Sequence, residues 1–164
     1  MSEVAVKLTG RLSPRDEWAA DGCPIAGTLE VIGARSSFLL LREAFYGCTR
    51  FDDFARRAGI SEPVAAARLR ELVDHGLLAR EPYQEPGKRT REQYALTPKG
   101  AEILPVLTAL MDWGNRWLAD SPQVQLRHRE CGAAVSAELR CASGHAVAPG
   151  ELDLVPGAGS RRRR

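Results

Sequence analysis

The sequence predicts a mainly α fold of the α+β class, and three stretches carry that reading. Residues 51 to 75, FDDFARRAGISEPVAAARLRELVDH, read as two helices joined by a tight corner. Residues 77 to 96 read as a β-hairpin with a basic tip. Residues 97 to 120 read as one long helix that is apolar over most of its circumference.

Taken in order, residues 1–15 read as a flexible arm, and Ser13-Pro14 opens a short helix through Trp18. Cys23-Pro24 starts a second helix, because the fixed φ of proline suits the first helical position; Ile25, Leu29 and Ile32 follow at helical spacing and Gly33 ends it. A third helix, from Ser36 to Tyr46, carries Phe38, Leu39, Leu40, Leu41 and Phe45 almost all round. It is therefore expected at the buried centre, with Gly47 closing it. In the next pair, Phe51, Phe54, Ala55 and Ala58 share one face and Gly59 stops the helix. Ser61 supplies an N-cap oxygen, Pro63 sits in the first turn, and Ala65, Leu69, Leu72, Val73 and Gly76 line the buried face of the second helix. This is a helix-turn-helix.

The hairpin pairs a run near Leu77–Tyr83 with one near Glu92–Leu96 across a Pro-Gly turn. Such a hairpin, directly after a helix-turn-helix, is a wing: with the second helix in the major groove, the wing reaches the flanking phosphates, where cations release condensed counterions. Lys88, Arg89 and Arg91 supply the charge, while Glu85 and Glu92 are expected at the wing base. Thr97 and Pro98 then open a helix running to about Asp120, which Pro105 should bend. Leu104, Leu107, Met111, Gly114 and Leu118 form one stripe, and Ile103, Leu110, Trp113 and Trp117 widen it. One small domain cannot cover so broad a face, so a second subunit is expected on it. A homodimer also suits DNA, since recognition helices about 34 Å apart read successive major grooves.

Length and composition set bounds on this. A chain of 164 residues, 44% hydrophobic, suits one globular unit plus appendages: an arm (1–15), a core (16–120), a small tail module (121–155) and a disordered basic end (156–164). The formal charge of +2 includes Arg161 to Arg164; the rest of the chain carries −2, so any nucleic-acid surface must be local. No apolar stretch reaches signal-peptide or bilayer-spanning length, and a cytoplasmic protein without a membrane partner is expected. Cys23, Cys48, Cys131 and Cys141 are then thiols or metal ligands in preference to disulfides.

From Cys23 to Asp120 the chain resembles the HxlR-type transcriptional regulators, relatives of the MarR-type winged-helix proteins. The blocks CPIAGTLEVIGAR, FLLLREAFYGCTRFDDFARRAGIS, RLRELVDHGLL, YALTPKG and PVLTALMDWGNRW fall in the family's order and spacing over 98 residues. The resemblance implies a homodimeric DNA-binding regulator that is not an enzyme, with dimer contacts from the N-terminal and the long C-terminal helices. Two departures stand out. Arg35 is followed by Ser36 where the family usually has tryptophan, and Glu62-Pro63 begin the recognition helix where lysine, arginine or asparagine is common.

The DNA-binding candidates are therefore Arg50, Ser61, Glu62, Pro63, Ala66, Ala67, Arg68 and Arg70, with Lys88, Arg89 and Arg91 on the wing. Ala66 and Ala67 offer only methyls, which touch thymine but cannot read guanine. Arg70 is the best polar contact, although it also stands four residues from Asp74 as an ion-pair partner. DNA shape and phosphate contacts must then carry much of the binding.

Cys23, at a helix N-terminus, sits where unpaired amides favour thiolate; some members of the resembled family have a cysteine there, and in a subset it senses oxidants or electrophiles. Its plain alternative is a small buried hydrophobe. Phe38, Phe45, Trp113 and Trp117 are candidates for an effector pocket, or else simply fill core. In the tail, His128, Cys131, Cys141 and His145 form H-x2-C-x9-C-x3-H around a hairpin, with Gly132 and Gly144 placed for tight knuckles. A structural Zn2+ held by all four is one reading; incidental cysteines on a hairpin are the other. Similar tails in the family more often end in Cys-x2-Cys, a pattern that Ser143-Gly144-His145 breaks.

Three function classes follow. The favoured one is a homodimeric sequence-specific regulator, a repressor answering a small-molecule or redox signal. A winged-helix module that binds protein without specific DNA binding is the alternative, kept open by the sparse polar groups of the recognition helix. A small metal enzyme built on the His/Cys tail is the least favoured, since the sequence lacks H-x-E with P-C-x-x-C, a nucleophile elbow and a phosphate-binding glycine loop.

Overall fold

The structure, a computed structural model, describes residues 6–13, 22–84, 87 and 89–160. The expected helix between Ser13 and Trp18, the tip residue Lys88 and the terminal Arg161 to Arg164 fall largely or wholly outside them. The elements run β1 (Lys7–Leu8), a 3-10 turn (Gly10–Leu12), α1 (Pro24–Ile32), α2 (Arg35–Phe45), α3 (Phe51–Ala58), α4 (Glu62–Asp74), β2 (Leu78–Tyr83), β3 (Arg91–Leu96), α5 (Pro98–Ala101) and α6 (Leu104–Trp117). A second 3-10 turn (Pro149–Glu151) and β4 (Asp153–Leu154) follow. Two compact units result, one of residues 25–136 and one made of 1–24 with 137–164.

In the larger unit α2 is the centre, packing against α3, α4, β3 and α6. Leu40 and Leu41 are fully buried there, with Phe54 from α3, Leu69 and Leu72 from α4, and Leu78 from β2. Each such side chain contributes about 1.5–3 kcal/mol relative to an exposed one. The apolar run of α2 is thus only partly enclosed: Leu40 and Leu41 are buried, while Phe38, Leu39 and Phe45 remain half-buried. From α1, Ile32 is buried in the core and Val31 packs against it, whereas Ile25 and Leu29 are exposed.

The corner between α3 and α4 forms because Gly59 adopts φ +63°, a left-handed conformation that lets the amide of Ile60 return to the Ala55 carbonyl. Ser61 occupies the N-cap of α4 with extended backbone, but its hydroxyl makes no capping hydrogen bond. Glu62 instead places an acidic group in the positively polarised first turn, with Pro63 beside it.

The hairpin is antiparallel, in register from Leu78 opposite Leu96 at the base to Tyr83 opposite Arg91 at the outer end. Glu92 therefore stands opposite Pro82, near the tip and not at the base, and its carboxylate lies 3.5 Å from the guanidinium of Arg80. Glu85 lies outside the described residues.

The single helix expected from Thr97 to about Asp120 is two helices. α5 ends at Ala101, Glu102 and Ile103 form the joint, and α6 begins at Leu104 with Pro105 in its first turn. Proline lacks an amide to donate and crowds the residue before it, so it starts a helix more readily than it bends one. α6 ends at Trp117 with Leu118 as C-cap.

In the smaller unit, Lys7–Leu8 pairs in parallel with Asp153–Leu154, and the amides of Lys7 and Thr9 donate to the carbonyls of Leu152 and Leu154 at 3.0 and 3.1 Å. Part of the expected flexible arm is thus a strand, because the chain's other end supplies its partner. Residues 157–160 close a turn in which the Ser160 amide donates to the Gly157 carbonyl.

Candidate nucleic-acid interface

One face of α4 buries Ala65, Leu69 and Leu72, and the other presents what a groove can meet. Ser61, Glu62, Pro63 and Arg70 are exposed, while Ala66, Ala67 and Arg68 are half-buried. Val64 is also exposed, an apolar group on the outer face that the sequence reading passed over. Arg68 is ion-paired with Glu71 three residues on. Arg70 keeps its exposure.

Two wing cations, Arg89 and Arg91, are exposed; Lys88 lies outside the described residues. Arg50 stands half-buried at the N-cap of α3. Its guanidinium lies 3.0 Å from the centre of the Tyr83 ring, tying the start of α3 to the outer end of β2. Beside it the Tyr94 amide donates to the Thr49 carbonyl at 2.8 Å, so residues 48–50 act as a third edge to the wing. The Phe54 and Tyr94 rings meet edge to face, 5.8 Å apart. The aromatic signal in Tyr83 and Tyr94 was visible in the sequence, but their partners lie far away in the chain.

The base of the wing and the end of α4 are joined by the turn Thr97–Gly100. Thr97 Oγ1 donates to the Gly76 carbonyl at 2.6 Å and accepts from the Gly100 amide at 3.0 Å. Lys99 Nζ donates to the His75 carbonyl at 2.7 Å. Neither residue was among the sequence candidates.

Of the four proposed pocket residues, Phe38 and Phe45 line a cleft of about 340 Å3 between α2 and α6, together with Arg42, Leu107 and Met111. Trp113 and Trp117 do not line it and stand 56% and 67% exposed. Residues beyond α6 fold back over the cleft: Val124 and Leu126 line it, and Asn115 Nδ2 donates to the Val124 carbonyl at 3.1 Å.

Cys23 is half-buried just ahead of α1, and Cys48 is buried. Cys131 and Cys141 are exposed. His128 Nδ1 and Cys131 Sγ lie 3.2 Å apart. Among the described residues no group of three or more His, Cys, Asp or Glu side chains is gathered as a metal site. The expected single hairpin is two tight turns with one bonding scheme. In the first, the Val135 amide donates to the Leu126 carbonyl and Arg127 donates to the Gly132 carbonyl at 3.0 Å. In the second, the Val147 amide donates to the Leu139 carbonyl and Arg140 donates to the Gly144 carbonyl at 3.0 Å. Gly132 and Gly144, at φ +69° and +83°, close the turns as their spacing implied. The repeat itself, Leu-Arg-His and Leu-Arg-Cys each leading to Gly and Val, is legible once the bonds are seen.

A second helix set by a tight corner and exposed along one face, a hairpin with a basic tip and a helix beyond it define a winged helix-turn-helix protein of the transcription-regulator class. The HxlR-like helix-turn-helix family model matches residues 31–122, and the chain belongs to that family. An uncharacterised HTH-type transcriptional regulator of Mycobacterium tuberculosis is 35% identical over 146 residues, which is 87% of this chain and 91% of that protein. The solved structure of PA1607, a candidate transcription factor, is 36% identical with a TM-score of 0.70 over 78% of this chain and 90% of its own. The redox regulator HypR in its reduced form is 31% identical with a TM-score of 0.51, over 58% of this chain and 95% of its own. The curated relatives carry the name of HTH-type transcriptional regulators. Among the described residues no single helix is long and apolar enough to cross a membrane.

Proposed function

We propose that this chain is a homodimeric, sequence-specific DNA-binding repressor whose affinity for its operator answers a small-molecule or redox signal. The observation that carries the DNA reading is the two-sidedness of α4, which buries Ala65, Leu69 and Leu72 and leaves Ser61, Glu62, Pro63 and Arg70 facing outward. Ala66, Ala67 and the exposed Val64 suit thymine methyls, and Arg70 suits a guanine edge or a phosphate. Arg89 and Arg91 grip the flanking backbone, joined by Lys88 in the same tip sequence.

Dimerisation is supported by the apolar side chains left uncovered on α1 and α6: Ile25, Leu29, Leu110, Trp113 and Trp117. The signal would act on that junction. Phe38 and Phe45 line the α2–α6 cleft that receives an apolar effector, and Cys23, ahead of α1, is the candidate oxidant sensor, a reading supported by the likeness to HypR. Zinc in the tail rests on the sequence spacing of His128, Cys131, Cys141 and His145 and is checked by metal analysis of the purified protein.

The test is selection of duplexes from random-sequence DNA, followed by affinity measurements with Arg70→Ala and with Arg89 and Arg91 both changed to Ala. Loss of selectivity with the first and a shallower salt dependence with the second are expected. A protein that recovers no common sequence, and binds duplex equally well after all three changes, would leave the second reading, a protein-binding winged helix. The sparse polar surface of α4 is what favours that alternative.

A further inference from the structure

Resting on the DNA-binding reading, we infer that Lys99 is a positioning residue: with Thr97 and Gly100 it fixes the C-terminal end of the recognition helix, and so the angle at which α4 meets a groove. Three successive carbonyls at that end accept from one turn. The His75 carbonyl accepts from Lys99 Nζ at 2.7 Å, the Gly76 carbonyl from Thr97 Oγ1 at 2.6 Å, and the Leu77 carbonyl from the Thr97 amide at 3.1 Å. Thr97 Oγ1 spends its proton there and uses a lone pair for the Gly100 amide, so one hydroxyl couples the end of α4 to the start of α5.

Gly100 completes the joint. A Cβ at that position would stand 2.0 Å from the Leu77 carbonyl oxygen, so only hydrogen permits the approach. Electrostatics make Lys99 the complement of this end. The last turn of α4 contains no basic residue, and Asp74 adds negative charge where the helix dipole is already negative. Lys99 supplies the missing cation from a different element.

The mechanical consequence follows from length. A helix of thirteen residues is about 20 Å long, so a tilt of about 6° at its anchored end moves Ser61 and Glu62 by about 2 Å, more than a hydrogen bond tolerates. Lys99 therefore governs specific binding without touching DNA.

The test compares wild type, Lys99→Met, Lys99→Arg, Thr97→Val and Thr97→Ser on one duplex recovered by selection and one random duplex, across a salt series. Circular dichroism and melting select the variants that retain the fold. Lys99→Met and Thr97→Val are expected to weaken the selected duplex about tenfold, leave the random duplex unchanged, and leave the slope of log affinity against log salt unchanged; Lys99→Arg and Thr97→Ser restore binding. A slope lowered by about 0.9 in Lys99→Met, with both duplexes weakened alike, would make Lys99 a phosphate contact and overturn the inference. So would undiminished binding of the selected duplex. Failure of wild type to prefer any duplex is a different result, and it removes the DNA reading itself.

Discussion

Cys48 shows what burial does to one side chain. It is 4% exposed, its Sγ lies 3.8 Å from the Arg50 carbonyl, and desolvation pushes its thiol above the ordinary 9.0. At neutral pH it should resist a thiol reagent until the protein unfolds, whereas Cys23, Cys131 and Cys141 react in the native state; mass spectrometry of the labelled peptides checks this. Because the folded state holds that proton more tightly, the associated stability is intact below 9.0 and is lost as pH rises through the higher folded value. Arg68 and Glu71 make the opposite kind of contact. Both are more than a third exposed, so their ion pair contributes no more than about 0.5 kcal/mol and Arg68 can leave it for a phosphate. Glu71→Gln is expected to raise duplex affinity about twofold or more, read by fluorescence anisotropy.

The wing is held at its inner end by apolar burial and along its length by aromatic rings. Phe54 is fully buried against Tyr94, and Arg50 stacks on Tyr83. Phe54→Ala should destabilise the fold by about 3–5 kcal/mol in urea unfolding, since it leaves a cavity at the junction of α3 and β3. The tip answers to different physics. Arg89 and Arg91 are exposed and contribute through counterions, so changing both to Ala should reduce the salt slope of duplex binding by about 2 without moving the unfolding midpoint. α5 and α6 divide the labour similarly. The short helix joins the end of α4, while α6 packs Leu107 against the core and leaves Trp113 outside.

At the scale of the molecule, α1 and α6 leave an apolar surface that one chain does not cover. Trp113→Glu combined with Trp117→Glu should convert a dimer to monomer in sedimentation velocity and weaken operator binding well over tenfold, because two half-sites are no longer linked. HypR covers 58% of this chain, whereas PA1607 covers 78%, so the match to PA1607 is longer than a winged helix alone requires. Within the tail, Val124 and Leu126 line the α2–α6 cleft beside Phe38 and Phe45.

The order of elements, the corner at Gly59, the buried face of α4 and the central place of α2 were written in the spacing of apolar residues and the position of glycines, both of which act locally. What tertiary structure decided was whatever depended on partners distant in the chain. Arg50 meets Tyr83, Lys99 meets the His75 carbonyl, Lys7–Leu8 meets Asp153–Leu154, and no local pattern specifies such meetings. Pro105 parted one apolar run into two helices because backbone sterics prevailed over hydrophobic periodicity. Among the candidate residues, Ser61, Glu62, Pro63, Arg70, Arg89 and Arg91 are exposed, whereas Ala66, Ala67 and Arg68, spaced as outward positions, are half-buried. The aromatic pocket was only half so: a shared helical face says which side chains point together, and packing alone decides whether Trp113 turns inward or out.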